Sequence, residues 1–242
     1  MGTRAYRTVL IGRGNVASHL QVALENSGHH VCCVGGRDRI QPIPSDADLY
    51  VIAVTDSAIA QVAAQIGNVM GLVVHTAGSV PMSVLPQRNR GVLYPLQTFT
   101  KGCPVDWQVV PLFVESDGDL AFLREVAGRI SSRVIEMDSQ RRRYLHLAAV
   151  FCNNFSNHMY CVTENILLQH GIPFDVMLPI IDETARKVHM LSPSKAQTGP
   201  AVRWNEEVLT AQLELLERDD LKQLYQIISQ SIHHDKLQSA ED

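Results

Sequence analysis

The chain has 242 residues, 45% of them hydrophobic and 19% charged, which suits one large or two modest domains with a proper core and excludes a disordered chain. Its formal charge of −4 carries no basic excess for a phosphate backbone, and the short basic run QRRRY at 140–144 adjoins an expected helix start, so no nucleic-acid partner is expected. No apolar run reaches the roughly 18 residues of a membrane span, and Met1 to Arg7 lack the apolar stretch of a signal peptide, so a soluble cytoplasmic protein without a membrane partner is expected.

Up to about Asp138, short runs rich in Val, Ile and Leu alternate with helical patterns. TVLIG reads as a strand, followed by a helix from Asn15 to Asn26, the strands HVCCVG and DLYVIAV, a helix from Ser57 to Gln65, and the strand GLVVHTA. This alternation predicts βαβ units and a parallel sheet covered on both faces. GVLYPL, VVPLFV and RVIEM read as three further strands, with LAFLREVAGRI as a helix between the last two. The five cysteines, Cys32, Cys33, Cys103, Cys152 and Cys161, form an odd set without CxxC spacing, which suggests buried thiols in a reducing compartment.

From Ser139 onward strand signals stop, and helices are expected over 140–169, 173–190, 203–217 and 219–234. Gly171 and Pro173 punctuate the first two. LSPSKAQTGPAV at 191–202 is a long loop, of a length that often serves function. The expected fold class is therefore α/β, with an N-terminal Rossmann-type parallel-sheet domain over 1–138 and an all-α domain over 139–242 for substrate binding and dimerisation. An apolar stripe in LTAQLELL at 209–216 supports a homodimer.

GRGNVA, the residues Gly12, Arg13, Gly14, Asn15, Val16 and Ala17, is a GxGxxA turn between a strand and a helix. Gly12 permits the tight turn, Gly14 lets the backbone approach a pyrophosphate, and Ala17 permits close helix packing, while the helix N-terminus offers N–H donors. An enzyme selective for NAD usually ends its second strand with an acid that holds the ribose hydroxyls. Here Val34, Gly35 and Gly36 form an uncharged bay, and Arg37 can pair with a 2′-phosphate, so the expected cofactor is NADP(H); Asp38 is the rival ribose ligand.

GRGNVA, ADLYVIAVTDSAI, VVHTAGS, YPLQTF, RYLHLAAVFCNNF and TGPAVRWN together resemble bacterial two-domain proteins that join a Rossmann-like NADP oxidoreductase domain to a helical domain of unknown function. The plan is similar to ketopantoate reductase, pyrroline-5-carboxylate reductase and the 6-phosphogluconate dehydrogenase superfamily. The resemblance places Val54 and Thr55 against the cofactor and Thr76, Ala77 and Gly78 near its nicotinamide. Where many relatives have His-Pro, this chain has Tyr94-Pro95, a substrate contact whose phenol is a poor proton shuttle at neutral pH.

In dehydrogenases of similar plan, a lysine and asparagines on the first helix of the second domain face the nicotinamide. In RYLHLAAVFCNNF, His146 is the expected proton donor, with Asn154 or Asn153 orienting a carbonyl or imine substrate. On a regular α-helix Asn153 and Asn157 fall within about 20° of His146, whereas Asn154 stands about 80° away. The alternative is a structural histidine with bridging amides. In TGPAVRWN, Thr198, Gly199 and Arg203 form a second candidate site, for a carboxylate or phosphate, where a helix start and a cation meet. No metal-ligand spacing stands out. The expected function is transfer of a hydride to or from a small carbonyl, imine or hydroxy acid in a cleft between the domains; the alternative is a non-catalytic NADP-binding sensor or interaction protein.

Overall fold

The computed structural model describes residues 4–35 and 42–238. By compactness the chain divides into residues 1–159 and 160–242. This division counts the long helix from Ser139 as far as Met159 with the sheet, whereas the expected boundary at 138 counted all of it with the helical part.

The first unit is built on β1 (Arg7–Ile11), β2 (His30–Val34), β3 (Leu49–Ile52), β4 (Leu72–His75), β5 (Arg90–Pro95), β6 (Leu112–Ser116) and β7 (Val134–Glu136). They form one sheet in the order β2-β1-β3-β4-β5-β6-β7. Successive residues of a strand face opposite sides, and the apolar runs here supply both. Leu10, Val51, Val74 and Leu93 pack with Leu20 and Leu24 of α1 (Asn15–Asn26) and with Leu123 and Val126 of α3 (Leu120–Ile130). Val9, Ile11, Ile52 and Val73 pack on the other side with Ile59, Ala63 and Ile66 of α2 (Ile59–Ile66). An α/β fold with a mostly parallel sheet follows.

One pair departs from the parallel expectation, because β5 and β6 run antiparallel, with Leu93 opposite Val114. A parallel return needs a crossover, usually a helix. Residues 96–111 hold only one short helical turn, Trp107–Val109.

The cysteines also depart from expectation. All five lie among the described residues and none forms a disulfide, yet Cys32, Cys103, Cys152 and Cys161 are exposed. Cys32 belongs to β2, an edge strand of the sheet.

The long helix opening after the sheet consists of α4 (Ser139–Ala149), a π-helical segment (Val150–Phe155) and α5 (Ser156–Gln169). The second unit continues with α6 (Leu178–Lys187), α7 (Pro193–Ala196), α8 (Glu206–Glu214) and α9 (Asp219–Gln238). Two expected helix starts move. The segment after Pro173 first forms a short 3-10 turn, Phe174–Met177, before α6. The helix expected from Arg203 begins at Glu206, because Trp204 takes a positive φ of 49° and the Asn205 side chain caps α8 by accepting the Val208 N–H. No helix among the described residues is long and apolar enough to cross a membrane.

Candidate functional site

Gly12 follows β1 at φ 134°, and a Cβ there would lie 2.0 Å from the carbonyl oxygen of Ala53. Its N–H donates to the carbonyl of Val34 at 3.1 Å, so the turn is locked between β2 and the end of β3. Only glycine meets both conditions. At Gly14, by contrast, a Cβ would meet nothing within 4 Å. The protein itself leaves space there, as a ligand's close approach requires. No side chain caps α1, and the N–H groups of its first turn can therefore hold an anion. Arg13 and Asn15 are exposed, Val16 is half-buried and Ala17 is buried. Gly36 and Arg37 lie outside the described residues.

Because β1, β3, β4 and β5 are mutually parallel, their carboxyl ends share one edge of the sheet. Val54 and Thr55 leave β3 at that edge, and Thr76, Ala77 and Gly78 leave β4. The Thr76 N–H donates to the carbonyl of Ile52 at 3.2 Å, and the Ser79 hydroxyl donates to the Asp56 carboxylate, which ties the two turns together.

Tyr94 stands at the same edge, near the end of β5, and its hydroxyl lies 3.1 Å from Nδ1 of His146 on α4. The rings meet edge to face with centroids 6.0 Å apart. Gly78 makes the approach possible, since a Cβ there would sit 2.6 Å from Nδ1 of His146 and 2.8 Å from Cζ of Tyr94. Burial pushes the Tyr94 phenol above its ordinary pKa, against the opposing charge of Arg142. A cavity of about 390 Å³ opens beside the pair, walled by Tyr94, Gln97, Thr98, His146, Asn153 and Asn154 among others.

The π-helical segment explains which amides reach that wall. With i→i+5 hydrogen bonding it takes an extra residue per turn, so the α-helical angles that aligned Asn157 with His146 and set Asn154 aside do not apply beyond Val150. Asn154 joins the wall, and the wall stops short of Asn157, which lies on α5.

Two buried groups behind this edge escaped the sequence reading. Arg142 comes from a basic run that reads as a solvated helix start, yet its neighbours Arg141 and Arg143 are exposed and it is 0% exposed. Its guanidinium pairs with Glu115 of β6 and donates to the carbonyl of Val80 at 2.7 Å and to the Ser139 hydroxyl at 3.1 Å. The other is His75, at the end of β4, whose Nδ1 accepts the Ala77 N–H at 3.2 Å and so shapes the Thr76–Gly78 turn. A histidine within the apolar run LVVH was the available signal.

His75 and His29 both titrate far below an ordinary histidine. Burial, with the Arg142 charge second, holds His75 at about 4, and burial, with Arg129 second, holds His29 at about 4. The folded protein therefore takes up these protons at lower pH than the unfolded chain. Their contribution to stability is intact above about pH 6.5 and is lost progressively as the pH falls toward 4, by up to about 3 kcal/mol each. Urea midpoints should fall over that window, and His75→Gln and His29→Gln should each flatten the dependence. An unchanged slope in both variants would overturn the assignment.

In the second unit, Gly199 takes φ 111°, and Thr198 and Arg203 are exposed. The nearby cavity, about 730 Å³, is walled by Ser194, Lys195, Gln197, Val202 and Lys236 among others, without Thr198, Gly199 or Arg203. The helix start expected to supply N–H donors beside Arg203 instead lies at Glu206, so the structure does not assemble that second constellation as expected. Among the described residues, no group of three His, Cys, Asp or Glu side chains could hold a metal ion.

A parallel sheet with a glycine turn at its carboxyl edge and a helical C-terminal part defines a Rossmann-like protein. Residues 110–232 match the family described as a domain of unknown function, DUF2520, and the chain belongs to that family. It is similar to a crystal structure from Bacteroides fragilis provisionally named an NADP oxidoreductase, with 41% identity and a TM-score of 0.85 over 95% of this chain and 98% of that one. A Thermotoga maritima protein is similar at 16% identity and TM-score 0.74, covering 96% of this chain and 99% of the other. The 1-pyrroline-5-carboxylate reductase of Streptococcus pyogenes is similar in fold at 13% identity and TM-score 0.59, covering 96% and 98%. A comparison with curated proteins found no match.

Proposed function

We propose that this protein is an NADP(H)-dependent oxidoreductase that transfers a hydride to or from a small carbonyl, imine or hydroxy acid. The observation that carries the reading is that the Gly12–Ala17 turn and a cavity walled by Tyr94, His146, Asn153 and Asn154 lie along the same carboxyl edge of the sheet. Ligands of open α/β sheets lie outside the carboxyl ends of the strands. The names of the similar structures from Bacteroides fragilis and Streptococcus pyogenes agree with such chemistry.

When bound, the cofactor supplies the hydride. The chain's own residues bind and orient. The open space at Gly14 and the uncapped start of α1 suit a pyrophosphate. Val54, Thr55, Thr76, Ala77 and Gly78 border the path toward the cavity. His146 hands a proton to the substrate's oxygen or nitrogen, and Asn153 and Asn154 hold that substrate in place. The homodimer contact is assigned to the helical part, where Leu215 is 79% exposed.

NADPH consumption across a panel of ketones, keto acids and cyclic imines tests the proposal. Sustained turnover of one class is the expected result. Tight NADPH binding with no turnover across the panel would overturn it in favour of a sensor.

Arg37 supplies a separate prediction about the 2′-phosphate. Arg37→Ala removes a charge-assisted contact of about 1.5 to 3 kcal/mol and should weaken NADPH by on the order of tenfold to a hundredfold. NADH affinity should hold. Equal weakening of both cofactors in titration calorimetry would refute the assignment.

A further inference from the structure

We propose that Tyr94 is the positioning residue of the site: its phenol donates to Nδ1 of His146, fixes the neutral imidazole with its proton on Nε2, and backs the transfer of that proton to substrate. The proposal rests on the reading of His146 as the proton donor. Sequence had assigned Tyr94 to substrate binding alone.

The geometry points to this role in three ways. The phenol oxygen lies 3.1 Å from Nδ1, and among the described residues this is the hydrogen bond that the ring makes. An imidazole nitrogen that accepts a hydrogen bond carries no proton, so the neutral ring must carry it on the other nitrogen. Gly78, with its bare Cα, lets the two rings close over it, and any Cβ would strike both partners. Tyr94 itself belongs to one buried cluster with Val92 and Phe113 of the sheet, its ring against that of Phe113, and Leu145, the residue before His146, packs against that cluster. A rigid donor therefore sets the ring's orientation as well as its tautomer.

A consequence follows for the proton. As hydride reaches the carbonyl or imine carbon, the π pair moves to oxygen or nitrogen, and a bond forms there to the Nε2 proton. Nδ1 takes the phenol proton as the Nε2–H bond breaks. The ring stays neutral, the electron pair of the O–H bond remains on the Tyr94 oxygen, and water returns a proton to it. Burial raises the phenol's pKa, which holds the proton on Tyr94 at rest and makes the phenol alone a poor shuttle, so the proton leaves only in step with the transfer from Nε2.

Nitrogen-15 NMR of the imidazoles in the full chain, with His146 assigned by subtraction of His146→Gln, reads the tautomer directly and without any substrate. The neutral ring should be protonated at Nε2 in the wild-type protein and should become a mixture of tautomers in Tyr94→Phe, which keeps the ring and its packing. In steady-state kinetics Tyr94→Phe should lower kcat by on the order of tenfold to a hundredfold, with KM for NADPH unchanged. An Nδ1-protonated ring in the wild-type protein would overturn the proposal, even if the variant failed to fold. So would a Tyr94→Phe tautomer identical to the wild type, or an altered tautomer with unchanged kcat. A wild-type protein without turnover on any substrate would count against the oxidoreductase reading alone, and the NMR arms would still decide the state of the ring.

Discussion

His146→Gln is expected to lower turnover by roughly a hundredfold to ten-thousandfold while leaving the fold and NADPH binding intact, the usual share of general acid–base catalysis. The expectation starts from the side chain, an imidazole that can give a proton from one ring nitrogen while the other accepts a hydrogen bond. It continues with placement, since His146 stands on α4 over Gly78, at the edge where the nicotinamide end of a dinucleotide would lie. Glutamine keeps a polar group of similar reach but cannot exchange a proton. Asn154→Ala should act on the same step, because the π-helical segment carries Asn154 into the cavity wall. Single-turnover measurements separate this loss from a loss of binding. Undiminished turnover in His146→Gln would end the assignment, as would a cofactor-bound crystal structure with His146 more than about 10 Å from the nicotinamide C4, beyond hydrogen-bond reach.

The second large effect concerns stability. Glu115→Ala should cost about 3 to 5 kcal/mol, the usual result of leaving a buried charge without its partner. Side-chain exposure is 1% for Arg142 and 16% for Glu115, so water cannot replace the lost carboxylate. Glu115 also accepts the Ser139 hydroxyl at 2.7 Å, and Ser139 in turn accepts the Met82 N–H at 2.9 Å. One carboxylate thus joins β6, α4 and the 80–82 turn. Replacing both charged partners, Glu115→Leu with Arg142→Met, should recover much of the loss, since apolar substitutes need no desolvation. Urea denaturation of the two single variants and the double provides the measurement. A loss below about 1 kcal/mol in Glu115→Ala would indicate that Arg142 draws its compensation from elsewhere.

The strands and the first glycine turn were legible because they rest on short-range rules. Short runs rich in Val, Ile and Leu read as buried parallel strands, and TVLIG, DLYVIAV and GLVVHTA became β1, β3 and β4. GxGxxA between a strand and a helix implies a positive φ at its first glycine, and Gly12 has it. The residues of the later site were also nameable one by one, since polar side chains in an apolar helix need partners. Their angular alignment was not, because a regular 3.6-residue period was carried across a segment that winds as a π-helix.

What lay in the sequence, then, was the α/β class, the glycine turn and the set of polar residues on the helix after the sheet, because periodicity and backbone sterics act over a few residues. What needed the folded chain was the pairing of Tyr94 with His146, 52 residues apart, the burial of one arginine out of three neighbours, and the antiparallel turn of β6. A contact between distant residues is set by which faces of the sheet and helices meet, and a residue's type carries no record of that meeting. The same Arg142 would be a solvated charge on an open helix and is a buried one here, because Glu115, Ser139 and Val80 close around it.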